Sequence, residues 1–324
     1  MESCDLLVSG GLLVDAQNVR EDHALAVSGN RIVAVDRSDA LGVRYRAQRT
    51  LDAGDRIVVP GFINAHTHAS ATLFRGYAPE VAGKGFFERM WQIEALLTDD
   101  DVRVGALAGC LEMIRNGITG FANHFSHMDQ VARAVQQSGI RAGLSRTMLD
   151  RGDESLSERE LSAGVAFAER WKGRCSRIQP MLGPHAAYTC SDRLLREAAE
   201  QARRRGLMLH MHLAESAHEQ EVMAKRTGRT TVPHLERLGF FEGNRLLGAH
   251  CLCLDDADLK TLSGCEFHAA ICATGKMNRG QGIADLLRLR EAGFNVCLGT
   301  DGSASDNLDI LMGMKVTHIA QNYL

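Results

Sequence analysis

The most constraining feature of this sequence is a regular alternation, from residue 57 onward, of short apolar runs with longer amphipathic stretches. The apolar runs predict strands at 57–65, 118–123, 140–147, 178–184, 207–213, 246–250, 267–272 and 294–300. Helical periodicity between them predicts helices at 98–116, 127–138, 155–172, 191–205, 216–227, 256–263 and 283–292, with Thr98 and Ser191 as N-caps. Eight strands alternating with helices indicate a parallel sheet, so we predict a TIM-type (β/α)8 barrel over residues 57–324.

Residues 1–56 carry a different pattern. Short apolar runs at 6–8, 11–14, 24–27 and 31–35 predict strands, and Ser28-Gly29-Asn30 predicts a turn between the last two. We interpret the strands in residues 6–35 as a small antiparallel sheet, and residues 1–56 as the N-terminal part of a small β-sandwich-like subdomain separate from the barrel.

Side chains that can do chemistry follow most of the predicted barrel strands at their carboxyl ends. They are His66, His68, Asn123, His124, Arg146, His185, His212, Glu215, His250 and Asp301. In barrel enzymes the active site lies on this face and is built from the ends of several strands. The thirteen histidines of the chain would not be expected to collect there at random. We therefore predict an active site at this face.

Four of these residues form a candidate metal site. His66 and His68 are separated by one residue, so an extended backbone directs both imidazoles to the same side. With His212 and Asp301 they make three imidazoles and one carboxylate, a set that suits zinc or ferrous iron and suits calcium or magnesium poorly. The strand at 178–184 contains no lysine to bridge a second metal, so we expect a single ion, with an open position where water is activated for hydrolysis.

Two further strand-end residues are candidates for proton transfer and positioning. Glu215, three residues after His212, is either a proton shuttle between water and substrate or a solvated first-turn glutamate stabilised by the helix dipole. The adjacent metal ligand favours the shuttle. His250 is either a fourth imidazole ligand or a hydrogen-bond partner that orients the water, and we prefer the second role.

Composition limits the partners and the compartment. The formal net charge is -3 and there is no long basic run, so we expect neither nucleic acid nor an anionic membrane surface as a partner. We find no apolar run of about twenty residues that would span a bilayer. The nine cysteines show no paired spacing and no signal peptide opens the chain, so we expect reduced thiols and a cytoplasmic protein.

Six motifs lie in order along the chain. They are Pro60-Gly61-Phe62-Ile63-Asn64-Ala65-His66-Thr67-His68, Thr72-Leu73-Phe74-Arg75-Gly76, Gly183-Pro184-His185, His212-Leu213-Ala214-Glu215, Ala249-His250-Cys251 and Leu298-Gly299-Thr300-Asp301-Gly302-Ser303-Ala304-Ser305. Together they closely resemble the amidohydrolase superfamily. Within it they resemble the 5-methylthioadenosine/S-adenosylhomocysteine deaminase branch, which is related to the cytosine and guanine deaminases and to chlorohydrolases.

The resemblance implies roles for individual residues. The metal ligands would be His66, His68, His212 and Asp301. His250 would hydrogen-bond the metal-bound water, Glu215 would shuttle protons and Asp301 would take a proton from that water. The substrate contacts would be Glu94, Arg146 and His185. Glu94 matches a glutamate that binds ribose hydroxyls in nucleoside-type members, although a surface glutamate before a helix is an equally good interpretation.

The chain departs from the family pattern in two places. Where members usually carry a His-Asn-Pro-x-Ser-Asn-like segment, this chain reads Ile271-Cys272-Ala273-Thr274-Gly275-Lys276-Met277-Asn278, so substrate contacts from this loop should differ. The chain also stops at Leu324, inside the expected last barrel helix and before the strands that complete the small sheet in the family. We therefore expect a C-terminally truncated barrel whose uncovered apolar surface lowers solubility or is protected in a homo-oligomer.

These observations predict a metal-dependent aminohydrolase of the cyclic-amidine class (EC 3.5.4), which releases ammonia from an exocyclic amine on a heteroaromatic ring. An adenosine-type thioether nucleoside is the favoured substrate, followed by a free purine, pterin or pyrimidine. One alternative is a chlorohydrolase or amide hydrolase with the same metal centre. Another is a catalytically inactive barrel fragment kept for assembly. Glu215 favours deamination, because dechlorinating triazine relatives often lack an acid there, and the gathered ligands argue against an inactive scaffold.

Overall fold

The computed structural model describes residues 1–77, 84–302 and 307–323. The chain divides into two compact units, Met1–Gly61 and Phe62–Leu324. The division therefore falls after residue 61, whereas the sequence pattern placed the barrel from residue 57. The reason is local: Ile57–Val58 pairs with a strand of the first unit, and Pro60-Gly61 separates it from the first barrel strand.

The first unit is one five-stranded sheet. Its strands are β1 (Glu2–Val14), β2 (Val19–Ser28), β3 (Arg31–Arg37), β4 (Tyr45–Asp52) and β5 (Ile57–Val58). The order is β3-β2-β1-β4, and β5 pairs with β1 beyond the end of β4. The strands within residues 6–35 pair antiparallel as expected, β1 with β2 and β2 with β3, whereas β4 and β5, which the sequence pattern did not assign to this sheet, run parallel to β1. Parallel neighbours need a crossover connection, and the helix α1 (Ser38–Arg44) supplies it between β3 and β4.

The second unit is an eight-stranded parallel barrel, which confirms the predicted fold class. Its strands are β6 (Phe62–Thr67), β7 (Ile118–Phe125), β8 (Arg141–Met148), β9 (Ile178–Pro184), β10 (Met208–Leu213), β11 (Arg245–His250), β12 (Glu266–Ile271) and β13 (Asn295–Leu298). They pair in chain order from β6 to β13. All eight predicted barrel strands are present, and the first begins five residues later than predicted.

Helices follow the barrel strands. They are α2 (Lys84–Glu94), α3 (Asp99–Arg115), α4 (Met128–Ser138), α5 (Glu154–Trp171), α6 (Asp192–Arg205), α7 (Ala217–Thr227), α8 (Thr231–Arg237), α9 (Asp256–Leu262), α10 (Ala273–Asn278), α11 (Leu286–Glu291) and α12 (Ile310–Gln321), with a 3₁₀ helix at Ala69–Phe74. Both predicted N-caps are confirmed: Thr98 accepts from the Asp101 amide in a capping box, and Ser191 accepts from the Leu194 amide. Within the described ranges, no helix is long and apolar enough to cross a membrane.

The segment after β12 is a short helix rather than the expected loop. Proline, which would end a helix, is absent from Ala273–Asn278, and Ala273, Lys276 and Met277 favour helical backbone. This helix α10 turns Lys276 towards the barrel, where its side chain is buried.

The barrel closes between β6 and the residues that follow β13. The carbonyl oxygen of His66 accepts hydrogen bonds from the Thr300 amide at 3.1 Å and the Asp301 amide at 3.0 Å. The backbones approach so closely that a Cβ at Gly299 would lie 2.8 Å from the His66 oxygen. Only glycine fits there, so this position fixes the distance between the two strand ends that carry His66 and Asp301.

Candidate active site

A cavity of about 320 Å³ opens at the carboxyl ends of the barrel strands. This is the face on which barrel enzymes build their active sites. Its walls include eight of the nine residues predicted as site residues, namely His68, Glu94, Arg146, His185, His212, Glu215, His250 and Asp301. The ninth, His66, is fully buried beneath them.

The four predicted metal ligands converge at the floor of this cavity. One ligand atom from each of His66, His68, His212 and Asp301 lies within 4.8 Å of the others. The Nε2 atoms of His66 and His68 both lie 3.5 Å from Asp301 Oδ1, and His212 Nε2 lies 3.3 Å from His68 Nε2. Side chains from both ends of the barrel sequence therefore meet at one point.

Backbone carbonyls fix the tautomers of two of these histidines. His68 Nδ1 donates to the carbonyl of His124 at 2.5 Å, and His212 Nδ1 donates to the carbonyl of His185 at 2.9 Å. A carbonyl only accepts, so the proton of each neutral ring is on Nδ1. The Nε2 lone pairs of His68 and His212 are therefore directed into the cluster, as metal binding requires.

A chain of hydrogen bonds fixes the third tautomer. The Ser145 hydroxyl donates to the Asn123 carbonyl at 2.9 Å, so its oxygen accepts from His210 Nδ1, also at 2.9 Å. His210 Nε2 then carries a lone pair and accepts from His66 Nδ1 at 2.8 Å. As a result, His66 Nε2 also presents a lone pair to the cluster. The sequence pattern gave no role to His210.

The donor set fits a divalent metal ion. Among the described residues, His66 Nε2 is a buried nitrogen without a hydrogen-bond partner, and it points at the cluster. Burial lowers the pKa of His66 and of His212, so both rings are neutral. Burial opposes protonation of His68 too, but the neighbouring Asp301 carboxylate raises the pKa of that ring. Three imidazole nitrogens and a carboxylate would satisfy such an ion.

The backbone is strained around the cluster. Ala214, His250, Cys251 and Asp301 all have positive φ, from 48° to 79°, a region that residues other than glycine rarely adopt. Ala214, His250 and Cys251 end or directly follow a barrel strand, and Asp301 lies in the segment just after β13. Strain of this kind persists only where the surrounding structure enforces it, and it concentrates at functional sites. Here it directs His250 and Asp301 into the cavity.

Asp301 divides its two carboxylate oxygens between different partners. Oδ1 faces His66 and His68, whereas Oδ2 accepts from Arg279 Nη2 at 2.6 Å. Burial alone would raise the pKa of Asp301, but the surrounding imidazoles and the Arg279 guanidinium hold it well below its usual range. Asp301 is therefore ionised, with one oxygen left for a metal ion.

Glu215 is buried at the cavity wall, and three polar groups lie next to its carboxylate. Tyr188 Oη donates to Oε1 at 2.8 Å, Lys276 Nζ donates to Oε2 at 2.9 Å, and His250 Nε2 lies 3.7 Å from Oε2. Burial would raise the pKa of Glu215, but the Lys276 charge and the hydrogen bonds from Lys276 and Tyr188 together hold it below its usual range. The interpretation of Glu215 as a solvated helix-end glutamate does not describe this buried carboxylate.

The three predicted substrate contacts lie on the cavity walls. Glu94 is half-buried, and loss of hydration raises the pKa of its carboxyl. Arg146 donates to Glu160 Oε2 at 3.2 Å and to the Thr147 carbonyl at 3.1 Å. Burial lowers the pKa of His185 to about 4, so its ring is neutral.

Sequence reasoning missed two cations of the site, Lys276 and Arg279. Both come from the segment whose sequence departs from the family pattern, and each pairs with a carboxylate of the cavity. One signal was available: Lys276 lies in a run of mostly small or apolar residues after β12. Such neighbours indicate a buried segment and not a solvent-exposed loop. The motif residues Ser303, Ala304 and Ser305 lie outside the described residues.

Comparisons with known proteins agree with this geometry. The sequence profile described as "Amidohydrolase family" matches residues 57–324. The chain is 38% identical over 321 residues to the 5-methylthioadenosine/S-adenosylhomocysteine deaminase 2 of Archaeoglobus fulgidus, covering 98% of this chain and 75% of that one. It is 40% identical over 292 residues to the 5'-deoxyadenosine deaminase of Methanosarcina mazei, covering 89% and 67%. A zinc-bound adenosine deaminase from Xanthomonas campestris superposes with a TM-score of 0.93 at 28% identity, covering 99% and 75%.

Proposed function

The chain belongs to the amidohydrolase family, in the branch of the 5-methylthioadenosine/S-adenosylhomocysteine deaminases, and we propose that it is a metal-dependent deaminase of an adenosine-type nucleoside. The observation that carries the proposal is one cavity holding both the cluster of His66, His68, His212 and Asp301 and the buried carboxylate of Glu215. The names of the relatives support an exocyclic amine on a purine as the group attacked. The reaction is hydrolysis of a C–N bond in a cyclic amidine.

We propose zinc as the metal. The donor set of three imidazoles and one carboxylate suits it, and the similar adenosine deaminase binds it. When bound, the ion lowers the pKa of a water molecule towards neutrality. Ferrous iron suits the same donors and is the competing choice.

The chain's own residues would orient the water and move its protons. His250 Nε2 lies 4.0 Å from Asp301 Oδ1 and 3.7 Å from Glu215 Oε2, between the two carboxylates, where it hydrogen-bonds the attacking water. Glu215 would take one proton of this water and pass it to the ring nitrogen next to the carbon under attack. Asp301 would take the second proton and return it to the amine, which leaves as ammonia. Holding acid, water and ring together lowers the barrier.

The cavity walls would bind the rest of the substrate. A carboxylate at Glu94 is suited to accept hydrogen bonds from ribose hydroxyls, and Arg146 and His185 contribute further polar contacts. A volume of about 320 Å³ falls at the lower end of the range for small-molecule sites and suits a nucleoside. No role in binding nucleic acid is proposed.

Ammonia release tests the proposal. The zinc-loaded chain is assayed with 5-methylthioadenosine, S-adenosylhomocysteine, 5'-deoxyadenosine, adenosine, guanine and cytosine. We expect an adenosine-type compound to release ammonia, and Glu215→Gln to lower kcat about 10²- to 10⁴-fold, because this change removes the proton carrier. Glu221→Gln, on the exposed face of the next helix, is the matched control and should leave kcat unchanged. Halide release from a chlorotriazine, or carboxylate release from an amide, without ammonia would assign the site to the alternative chemistry.

We further propose that the protein is cytoplasmic and forms a homo-oligomer. All nine cysteines are described and free, as expected in a reducing compartment. The edge strand β3 exposes Ile32, Val33 and Val35, and pairing of such edges between copies would protect them. Analytical ultracentrifugation should give a mass above 35.4 kDa, the mass of one chain. A monomer at micromolar concentration would refute the association.

A further inference from the structure

Lys276 forms a buried ion pair with Glu215. The two side chains are each 4% exposed, and Nζ lies 2.9 Å from Oε2. Lys276 lies on α10, which follows β12, whereas Glu215 follows β10. The pair therefore joins two strand ends that are 61 residues apart in sequence.

Stability alone does not account for this pair. Removing an ammonium and a carboxylate from water carries a desolvation cost that their attraction barely offsets, and apolar residues of similar volume often stabilise a core as well or better. The pair is also placed at the wall of the catalytic cavity, which Glu215 lines. Its position indicates a role in the chemistry of Glu215.

Lys276 and Tyr188 hold the carboxylate from two sides. Tyr188 Oη donates to Oε1 and Lys276 Nζ donates to Oε2, so rotation of the Glu215 carboxylate would break both bonds. The Glu215 amide is fixed as well, because it donates to Glu219 Oε2 at 2.7 Å. Of the two groups that bind the carboxylate oxygens, only Lys276 is a cation.

We propose that Lys276 is a positioning residue for Glu215, whose carboxylate it fixes at the cavity wall and keeps ready to accept a proton. This proposal rests on the function assigned to Glu215 above. Lys276 lies in the α10 segment, whose sequence departs from the family pattern. The proposal therefore links this departure directly to the reaction.

The ion pair also favours return of the proton. When Glu215 accepts a proton it becomes neutral, and Lys276 is left as a buried cation without its counter-ion. That state is unfavourable, so the proton passes readily to the ring nitrogen. Lys276 thus makes Glu215 a weaker base but a stronger acid, which suits a residue that takes and gives a proton in one turnover.

Removing Lys276 should move the pH dependence of the reaction. The charged and titratable groups facing Glu215 include Lys276, His250, His185, Tyr188, Cys253 and Glu219. Without Lys276, burial and the Glu219 side chain favour the neutral form of Glu215. Its pKa then rises, so the acidic limb of kcat moves to higher pH.

The experiment compares Lys276→Met with the zinc-loaded wild type. We expect kcat to fall about 100-fold, with KM and zinc content little changed, as for a displaced catalytic group. The acidic limb should move upward by about one pH unit or more. Lys276→Arg keeps the charge and should recover part of kcat. Lys260→Met, on the exposed face of α9, is the matched control and should behave as wild type.

Two results would overturn the proposal. One is a Lys276→Met enzyme with wild-type kcat and pH profile. The other is a loss of activity that only follows the loss of folded or zinc-bound protein, with no change in the pH limb.

A measurement that does not depend on catalysis distinguishes failure of this inference from failure of the proposed function. If the wild type releases no ammonia from any compound, the proposed function fails, and thermal unfolding then tests the pair. Lys276→Met should lower the unfolding midpoint more than the double variant Glu215→Gln/Lys276→Met does, because the single variant strands a buried carboxylate. Midpoint shifts that simply add would show that the two side chains do not interact, and would contradict the positioning role.

Discussion

At the residue scale, the ring of His66 is fixed by partners that lie far away in sequence. His210, 144 residues along the chain, accepts from Nδ1, and its own tautomer is set by Ser145. The His-x-His motif predicts that His66 faces a metal ion, but it does not show which nitrogen carries the proton. That detail depends on a contact across the barrel, which no local pattern reveals.

His210→Phe tests this hydrogen-bond chain. The variant keeps a ring at this position but removes the acceptor for His66 Nδ1, so we expect zinc affinity to fall about 10- to 100-fold, as for other groups that orient metal ligands. Competition with a chromophoric chelator measures the affinity. His268→Ala, a partly exposed histidine at the start of β12, should bind zinc as the wild type does. Equal affinity in all three proteins would show that His210 does not orient His66.

Local sequence patterns do not reveal contacts between distant elements, and this explains which site residues were found from the sequence and which were missed. The residues His66, His68, His212, Glu215 and Asp301 were placed at one face because each follows a predicted strand. Lys276 was missed because its segment was interpreted as an open loop and its partner lies 61 residues away. The local sequence pattern predicts which residues lie at strand ends. It does not predict which side chains from different elements will pair.

At the element scale, the barrel strands were predictable because each is a short apolar run bounded by helix signals. The helices α1, α8 and α10 were not predicted, since helices of six or seven residues carry too few turns for a clear periodicity. The helix α2 was also missed, although it has 11 residues. Ile57–Val58 reads as the beginning of a barrel strand but pairs with β1, because strand pairing is decided by tertiary contacts.

Closure of the barrel at Gly299 makes a prediction at this scale. The added methyl of Gly299→Ala would lie 2.8 Å from the His66 oxygen and 2.9 Å from its nitrogen, so β6 or β13 must shift. We expect a loss of about 1–3 kcal/mol in the free energy of unfolding and weaker zinc binding. Chemical denaturation and zinc titration measure the two effects. Gly313→Ala has open space in α12 and should be neutral or stabilising, so equal losses in both variants would contradict this account.

At the scale of the whole molecule, the metal cluster connects segments that are distant in sequence. His66 lies in β6 and His68 directly after it, His212 lies in β10, and Asp301 lies in the segment after β13. A bound ion would therefore crosslink the first, fifth and last strands of the barrel. Binding that occurs only in the folded state stabilises that state in proportion to ligand excess.

Metal removal tests this crosslink. At a zinc concentration of 100 times Kd, binding adds about 2.7 kcal/mol, so dialysis against a chelator should lower the thermal midpoint by about 5 °C or more. Differential scanning calorimetry measures the shift. The variant Asp301→Ala should unfold at the same temperature with and without the chelator. A wild-type midpoint that is insensitive to the chelator would show that the cluster holds no structural metal.

The double use of His66 has a consequence for biogenesis. Its carbonyl receives the Thr300 and Asp301 amides, while its ring belongs to the metal cluster, so one residue serves both closure and ligation. A growing chain displays His66 and His68 long before Asp301 is synthesised, and two imidazoles alone hold a metal ion weakly. Tight capture must wait until the last strand docks. A newly synthesised chain would therefore bind the metal tightly only after the barrel has folded, and not as soon as the ligands have been synthesised.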